Sequence, residues 1–339
     1  MRVLFLCHRF PYPPKRGGTI RPFNTIKHLH QAGHEVVVCS LTRSGEQTRE
    51  AQGIAPYCAE FHIGEVDDRV QTLRMVATLA SPITASASFF HSSKLERTIR
   101  RLLAQQRFDL IVVHCSSVAH YVADVQGIPK ILDFGDMDSQ KWFEYVQHKP
   151  FPLSLVYWWE GKRLLAEEKR LAQRFDFNTA TTRSEHRTLL AFGVETPSDW
   201  FPNGVDSAFF APPQEAGYDP DTIAFIGRMD YFPNQQCMQD FCADVLPLLK
   251  SRRPAIKLQI VGADPSADIR KLGEIEGVSV TGSVPDVRPY VTRAALTVAP
   301  LRIARGTQNK ILEAMAMGVP VVCTGVAAGG VDAVPGEHL

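Results

Sequence analysis

The chain has 339 residues, 45% hydrophobic and 22% charged, with 37 Lys and Arg against 36 Asp and Glu for a net charge of +1. This is the composition of a soluble globular protein, long enough for two domains with full cores and lacking the basic field that nucleic acid would require. Seven cysteines without a C-x-x-C pair argue against a disulfide framework and fit reduced thiols in the cytoplasm, and no apolar run reaches the roughly 18–20 residues that cross a bilayer.

Arg2–Cys7 is a short apolar run that reads as a buried parallel strand rather than a signal peptide. After a Pro-rich loop, Gly17-Gly18 opens a helix in which Ile20, Phe23, Ile26 and Leu29 recur at helical spacing until Gly33. Glu35–Leu41 is the next strand, completing a βαβ unit. Glycines at 17 and 18 would let a phosphate or sugar approach the backbone closely, whereas a plain turn would need nothing more.

Lys94, Arg97, Arg100, Arg101 and Arg107 form a basic helical face with Ile99, Leu102 and Leu103 opposite. Leu110–His114 and Lys130–Phe134 are further strands. Residues 141–175 read as helical, interrupted at Pro150 and Pro152, and Phe175–Thr181 as another strand. His114 ends its strand, where an imidazole could shuttle a proton or serve only structure. His120, in a helix-like run, is the weaker candidate. Asp133, Asp136 and Asp138 come at the end of the next strand. Asp136 could accept a hydrogen bond from an attacking hydroxyl, or these residues could cap the helix beginning near Lys141. The D-x-D spacing brings no recognisable third ligand, so no metal is expected. The aromatics Trp142, Phe143, Tyr145, Tyr157, Trp158 and Trp159, with the basic face, could rest on an anionic membrane surface or be plain core and solvated surface.

Phe201-Pro202-Asn203-Gly204-Val205-Asp206 carries strong turn signals, and Pro212-Pro213 stiffens the segment after it, so 201–215 reads as a hinge between domains at 1–200 and 216–339. A second alternating series places strands at Thr222–Ile226, Lys257–Val261, Val278–Thr281, Leu296–Ala299 and Val319–Cys323. Cys237 and Cys242 fall in a helical core pattern. Two doubly wound α/β domains would put a site in the cleft outside the carboxyl ends of their strands. The sequence stops at Leu339, just after a Gly-rich loop where an open α/β domain would continue, so the C-terminal domain is expected to be incomplete.

The stretch from Arg302 to Val322 carries the strongest chemistry. A basic loop with Arg302, Arg305, Gly306, Thr307, Gln308 and Asn309 runs into a helix holding Lys310 and Glu313, which Gly318 ends. A helix N-terminus offers free N–H groups and partial positive charge to a phosphate. Lys310 and Glu313, three apart, share a face. One can meet a phosphate while the other accepts from ribose hydroxyls; an ordinary solvated helix is the alternative.

Read in order, LDFGDMDSQKW from Leu132, Asn203-Gly204-Val205-Asp206, MDYFPN from Met229, VPDVRPY from Val284, and APLRIARG from Ala299 continuing to Glu313 resemble the retaining glycosyltransferases of family 4. The likeness is closest to those of PEP-CTERM exopolysaccharide systems. The resemblance implies a GT-B fold and a nucleotide-sugar donor, UDP- or GDP-linked, without cofactor or metal. It also implies a saccharide or lipid-linked acceptor; the protein is expected in the cytoplasm, at the inner face of the plasma membrane if the basic and aromatic faces rest on it. Gly17, Gly18, Arg228, Val284, Gly306, Thr307, Gln308, Asn309, Lys310 and Glu313 would bind the donor, with Glu313 on the ribose. Asp136, His114 and Arg305 would serve catalysis. Two departures stand out: Pro233 where a second diphosphate cation is usual, and Arg305 where an acidic residue is usual. Arg302, Arg305 or Lys310 would then supply the lost cation. A sugar-nucleotide epimerase or a non-catalytic binding protein on the same scaffold remain open.

Overall fold

The computed structural model describes residues 1–14, 17–43, 45–78, 81, 83–214, 217–334 and 336–338. It divides into two units, Met1–Phe201 and Pro202–Leu339. Residue 215 at the end of the expected hinge, residue 216 opening the expected second domain, and the terminal Leu339 lie outside the described residues.

The first unit is built on seven strands: β1 Arg2–Cys7, β2 Glu35–Thr42, β3 Glu60–Glu65, β4 Leu110–His114, β5 Lys130–Asp133, β6 Phe177–Ala180 and β7 Ser198–Trp200. They lie in the order β3-β2-β1-β4-β5-β6-β7, every pair parallel. The central strands are apolar on both faces because helices cover both. Val3, Phe5 and Val38 pack with Ile26 and Ile54 on one side, while Leu4, Leu6 and Ile111 pack with Ile99, Leu102 and Leu171 on the other. Four helices position the features of this unit: α1 Gly17–Gln31, α2 Ser93–Gln105, α3 Asp138–Val146 and α4 Leu153–Ala172.

The second unit has β8 Asp219–Ile226, β9 Lys257–Val261, β10 Val278–Val280, β11 Ala294–Ala299 and β12 Val321–Cys323, in the parallel order β10-β9-β8-β11-β12. Helices α5 Phe232–Asp240 and α6 Asn309–Ala316 come after β8 and β11 respectively. One core gathers Phe225, Leu258, Ile260, Met238 and Ile311, with Cys237 and Cys242 buried in it.

Both sheets reverse direction of growth at their first strand. β8 is flanked by β9 and β11, and β1 by β2 and β4. At such a switch point the loops leaving neighbouring strands part to opposite faces and open a crevice at the carboxyl edge. The loops after β8 and β11, and after β1 and β4, are therefore where each unit would build a site.

Candidate functional site

In the second unit, Gly227 leaves β8 and packs against two side chains. A Cβ there would lie 2.6 Å from Asn234 Nδ2 and 3.2 Å from Lys310 Nζ. Asn234, in the first turn of α5, donates from Nδ2 to Arg228 O at 2.9 Å and accepts at Oδ1 from Lys310 Nζ at 2.9 Å. The ammonium also lies 4.5 Å from the centre of the Phe225 ring. Burial pulls Lys310 down to about 8, with Cys237 and Glu313 working against the shift. Among the described residues no carboxylate lies within ion-pair distance of it. The protein thus holds a desolvated cation on a neutral amide and an aromatic face, at a switch point, with Glu313 acting on it only from beyond ion-pair distance. A phosphate oxygen would supply a close counter-charge.

Glu313 stands one turn along α6. Its carboxyl is pushed up by burial, with Lys310 pulling the other way. Among the described residues it makes no hydrogen bond or close ion pair, so its acceptor capacity is open, which suits a vicinal diol. The loop before α6 is shaped by glycine. Gly306 has φ 61, and a Cβ on Gly330 would fall 2.0 Å from Gly306 O. Gln308 Nε2 donates to Arg305 O at 3.1 Å, and Asn309 Oδ1 accepts from Asn203 Nδ2 at 3.3 Å. Thr307 Oγ1 is buried without a hydrogen-bond partner.

Arg228 sits at this edge but is engaged. It forks onto Asp230 at 2.9 and 2.6 Å and also donates to Asp264 at 2.6 Å. An anion would have to compete with two carboxylates for it, whereas among the described residues Lys310 is bonded only to a neutral amide; Pro233 sits in the first turn of α5. Gly262 makes the Asp264 contact possible: with φ 155, a Cβ there would lie 1.8 Å from Gly227 O, so only glycine lets the ends of β8 and β9 approach. Arg302 points elsewhere, 3.3 Å from Asp240 and 3.7 Å from Asp244. Arg305 is half-buried in the loop. Val284 is half-buried in the loop after β10, two strands away from β8.

The first unit carries a different network at its switch point. His114 Nδ1 lies 2.7 Å from Asp133 Oδ2, the geometry of an N–H donating to the carboxylate. Arg21 of α1 forks onto the same carboxylate, Nε to Oδ2 at 2.8 Å and Nη2 to Oδ1 at 3.0 Å, and Thr179 Oγ1 adds a bond to Oδ1 at 2.9 Å. Arg21 also donates to Phe201 O at 2.8 Å and stacks 3.7 Å over the Phe201 ring. Burial alone would raise Asp133; His114 and Arg21 outweigh it and hold the carboxyl well below the usual range. His8, the residue after β1, has its ring 6.0 Å from that of His114. Burial, with help from Arg9 and His114, keeps His8 well below its ordinary value, hence neutral, and its Nδ1 is buried without a partner. Gly18 lies beside it: a Cβ would be 3.6 Å from Arg9 Cδ and 4.0 Å from His8 Nε2, ordinary contacts. The space around position 18 would accept a Cβ, so packing within the protein does not demand glycine there. Gly17 and Gly18 are both exposed at the start of α1.

Asp136 and Asp138 do not cap α3. The N-cap is Met137 without a side-chain bond. Two buried glutamates from distant helices take the orphan donors instead: Glu185 accepts from Met137 N at 2.9 Å and Glu168 from Ser139 N at 3.0 Å. Asp136 accepts from Thr181 Oγ1 at 3.3 Å, and burial raises Asp138 despite Lys141 nearby. His120 is tied to Ser117 O at 3.0 Å and pulled by burial down to about 4, an imidazole serving structure. Among the described residues no group of three or more His, Cys, Asp or Glu could hold a metal. Sequence reasoning passed over Arg21, His8 and Asn234 as site residues. No local pattern marked Arg21: at helical spacing it falls on the face opposite Ile20, Phe23, Ile26 and Leu29, and only the fold buries it.

Two family models match this chain: Glycosyltransferase Family 4 over residues 16–209 and Glycosyl transferases group 1 over residues 220–338. A comparison with curated proteins found no match. Among solved structures, the fold is similar to that of a sucrose-phosphate synthase from Thermosynechococcus elongatus, with TM-score 0.67 and 15% identity over 97% of this chain and 82% of the other. It is similar to Anabaena Alr3699/HepE in complex with UDP-glucose, with TM-score 0.64 and 15% identity over 97% and 81%. It is also similar to an S. aureus TarM mutant in complex with fondaparinux, alpha-GlcNAc-glycerol and UDP, with TM-score 0.63 and 11% identity over 96% and 86%.

Proposed function

This chain belongs to glycosyltransferase family 4 and is a glycosyltransferase of the GT-B fold, and we propose that it moves a sugar from a UDP- or GDP-linked donor to a saccharide or lipid-linked acceptor. In this reading it retains the anomeric configuration and serves exopolysaccharide or other cell-surface glycan synthesis at the cytoplasmic face of the membrane. The observation that carries the donor assignment is the corner of Gly227, Asn234, Lys310 and Glu313: a buried ammonium without a close ion pair and an open carboxylate one helical turn apart.

Lys310 would take the diphosphate, with Arg305 and the backbone N–H groups of 306–309 around it, and Glu313 the ribose hydroxyls. These groups are fixed before the reaction, so they stabilise the charge that grows on the leaving phosphate without reorganising. A phosphate oxygen leaving on the same face would take the acceptor proton. On the acceptor side, His114 is held by Asp133 so that its Nε2 is the free ring nitrogen, able to accept from or donate to a hydroxyl. Asp136 is the second polar group there.

The test supplies UDP- and GDP-sugars with and without oligosaccharide or lipid-extract acceptors and measures the nucleoside diphosphate released. Release that rises with acceptor, from one nucleotide class, is the expected outcome. UDP is the first to try, because the Anabaena and S. aureus structures hold it. Release indifferent to every acceptor, or a nucleoside monophosphate product, would contradict the reading.

A further inference from the structure

We infer that the turn between α3 and α4 and the first turns of α4 form a docking surface for an anionic lipid bilayer. A protein of this composition hides most of its large apolar side chains, yet here several stand in solvent together. Phe151 is 78% exposed, Leu155 55%, Trp159 50% and Trp158 45%. Leu155, Trp158 and Trp159 recur at helical spacing on the face of α4 opposite the one that buries Leu164 and Glu168. Phe151 lies in the turn just before α4.

Internal packing explains why this face is not the buried one. The inner face of α4 is fixed from several sides. Phe143 of α3 presses on Gly161, where a Cβ would lie 2.8 Å from its ring. Trp142 packs on Tyr157 with ring centres 4.8 Å apart. Glu160 accepts from Ala85 N at 2.6 Å, and Arg163 donates to Ser81 O at 2.6 Å and to Ile83 O. The outer face is thus held rigidly outward, and Ile83, whose carbonyl Arg163 holds, is itself exposed.

The charge around it names the occupant. From residue 145 to 166 the only acid is Glu160, which is buried and bonded. The bases of that stretch include Lys149 and Lys162, whose ammonium groups lie 5.8 and 5.7 Å from the Tyr157 and Trp158 ring centres. A lysine beside an exposed tryptophan, with a second in the turn before the helix, matches a bilayer interface, where indoles favour the headgroup level and cations meet anionic lipid. A protein partner would have no reason to demand this absence of acid. The basic face of α2 is a different surface: Arg100 pairs with Glu96 at 2.6 Å, Arg97 bonds its own helix, and among the described residues no cluster of exposed apolar side chains accompanies them. The inference deepens the lipid-linked-acceptor reading by placing the contact, and it is tested without donor or acceptor.

The experiment is flotation of the full chain with vesicles of phosphatidylcholine alone and of equal parts phosphatidylcholine and phosphatidylglycerol. Binding is expected only to the anionic vesicles. The double variant Trp158→Ser, Trp159→Ser should lose at least roughly tenfold in partitioning, and Lys149→Glu or Lys162→Glu roughly fivefold or more each. Leu190→Ser, at an exposed leucine on another helix, should bind as the parent does. Should the tryptophan variant fail to fold, quenching of the parent's tryptophans by acyl-chain-brominated lipid reads the same contact. Absence of anionic-vesicle binding, binding unchanged by these substitutions, or a concentration-dependent dimer abolished by them would each overturn the inference.

Discussion

Replacing Lys310 with Met is expected to weaken binding of a nucleoside diphosphate by roughly 10- to 100-fold, the loss of one charge-assisted hydrogen bond in a dry site. The parent should also show a pH signature that the variant lacks. Lys310 is drawn down to about 8 by burial, so its ammonium is present below that pH and lost as pH rises through it. Affinity should be level from pH 6 to about 7.5 and then fall by up to tenfold per unit, and Lys310→Met should flatten that fall. The effect on stability has the opposite sign. A lysine whose folded value lies below its unfolded one costs stability while charged, and the cost is relieved as pH rises. The variant should therefore melt no lower than the parent at neutral pH, which separates lost affinity from lost folding. Titration calorimetry across pH reads the affinity and thermal unfolding reads the stability. Equal affinity in parent and variant would remove Lys310 from the site. Arg305→Ala, by raising donor KM or lowering kcat where Lys310→Met did not, would pass the role to Arg305.

The second large effect concerns the buried network of the first unit. Arg21 and Asp133 form a doubly bonded ion pair in the interior, and His114 depends on the same carboxylate. Removing one partner strands the other: Asp133→Ala or Arg21→Ala should each cost about 3–5 kcal/mol. Replacing both, as Arg21→Met with Asp133→Leu, should cost clearly less than the two singles summed, because no charge is then left unpaired. Asp133 is held below the ordinary carboxylate range, so its contribution is present above the unfolded carboxylate pKa and lost only as pH falls through the folded one. The penalty of the single variants should hence be constant from pH 6 to 8. Denaturant unfolding of the parent, the singles and the double measures it. Singles within about 1 kcal/mol of the parent would mean the pair is solvated and the network weak.

The parallel architecture was legible because buried parallel strands are continuous apolar runs. Arg2–Cys7, Leu110–His114 and Lys257–Val261 have the same bounds in sequence and structure. β3 and β7 were missed: both are edge strands with polar sequences, EFHIGE and SDW, whose pairing is set by neighbours rather than by their own hydrophobicity. At the site, Lys310 and Glu313 were visible as a helical pair because their relation is local. Asn234 and Arg21 were not, because each matters through a partner far along the chain, 76 residues from Lys310 and 112 from Asp133. The same distance effect hid the caps of α3, which come from Glu168 and Glu185 and not from Asp136 or Asp138. Arg228 looked like a phosphate cation in sequence, and only the folded chain shows Asp230 and Asp264 closing on it.

Hydrogen exchange of the full chain with and without saturating UDP or GDP bears most directly on the donor assignment. Slowed exchange confined to the backbone of 226–228 and 303–313, and weakened by Glu313→Gln, is the predicted result. Protection by neither nucleotide, or protection located away from those two segments, would contradict a donor site built on Lys310 and Glu313.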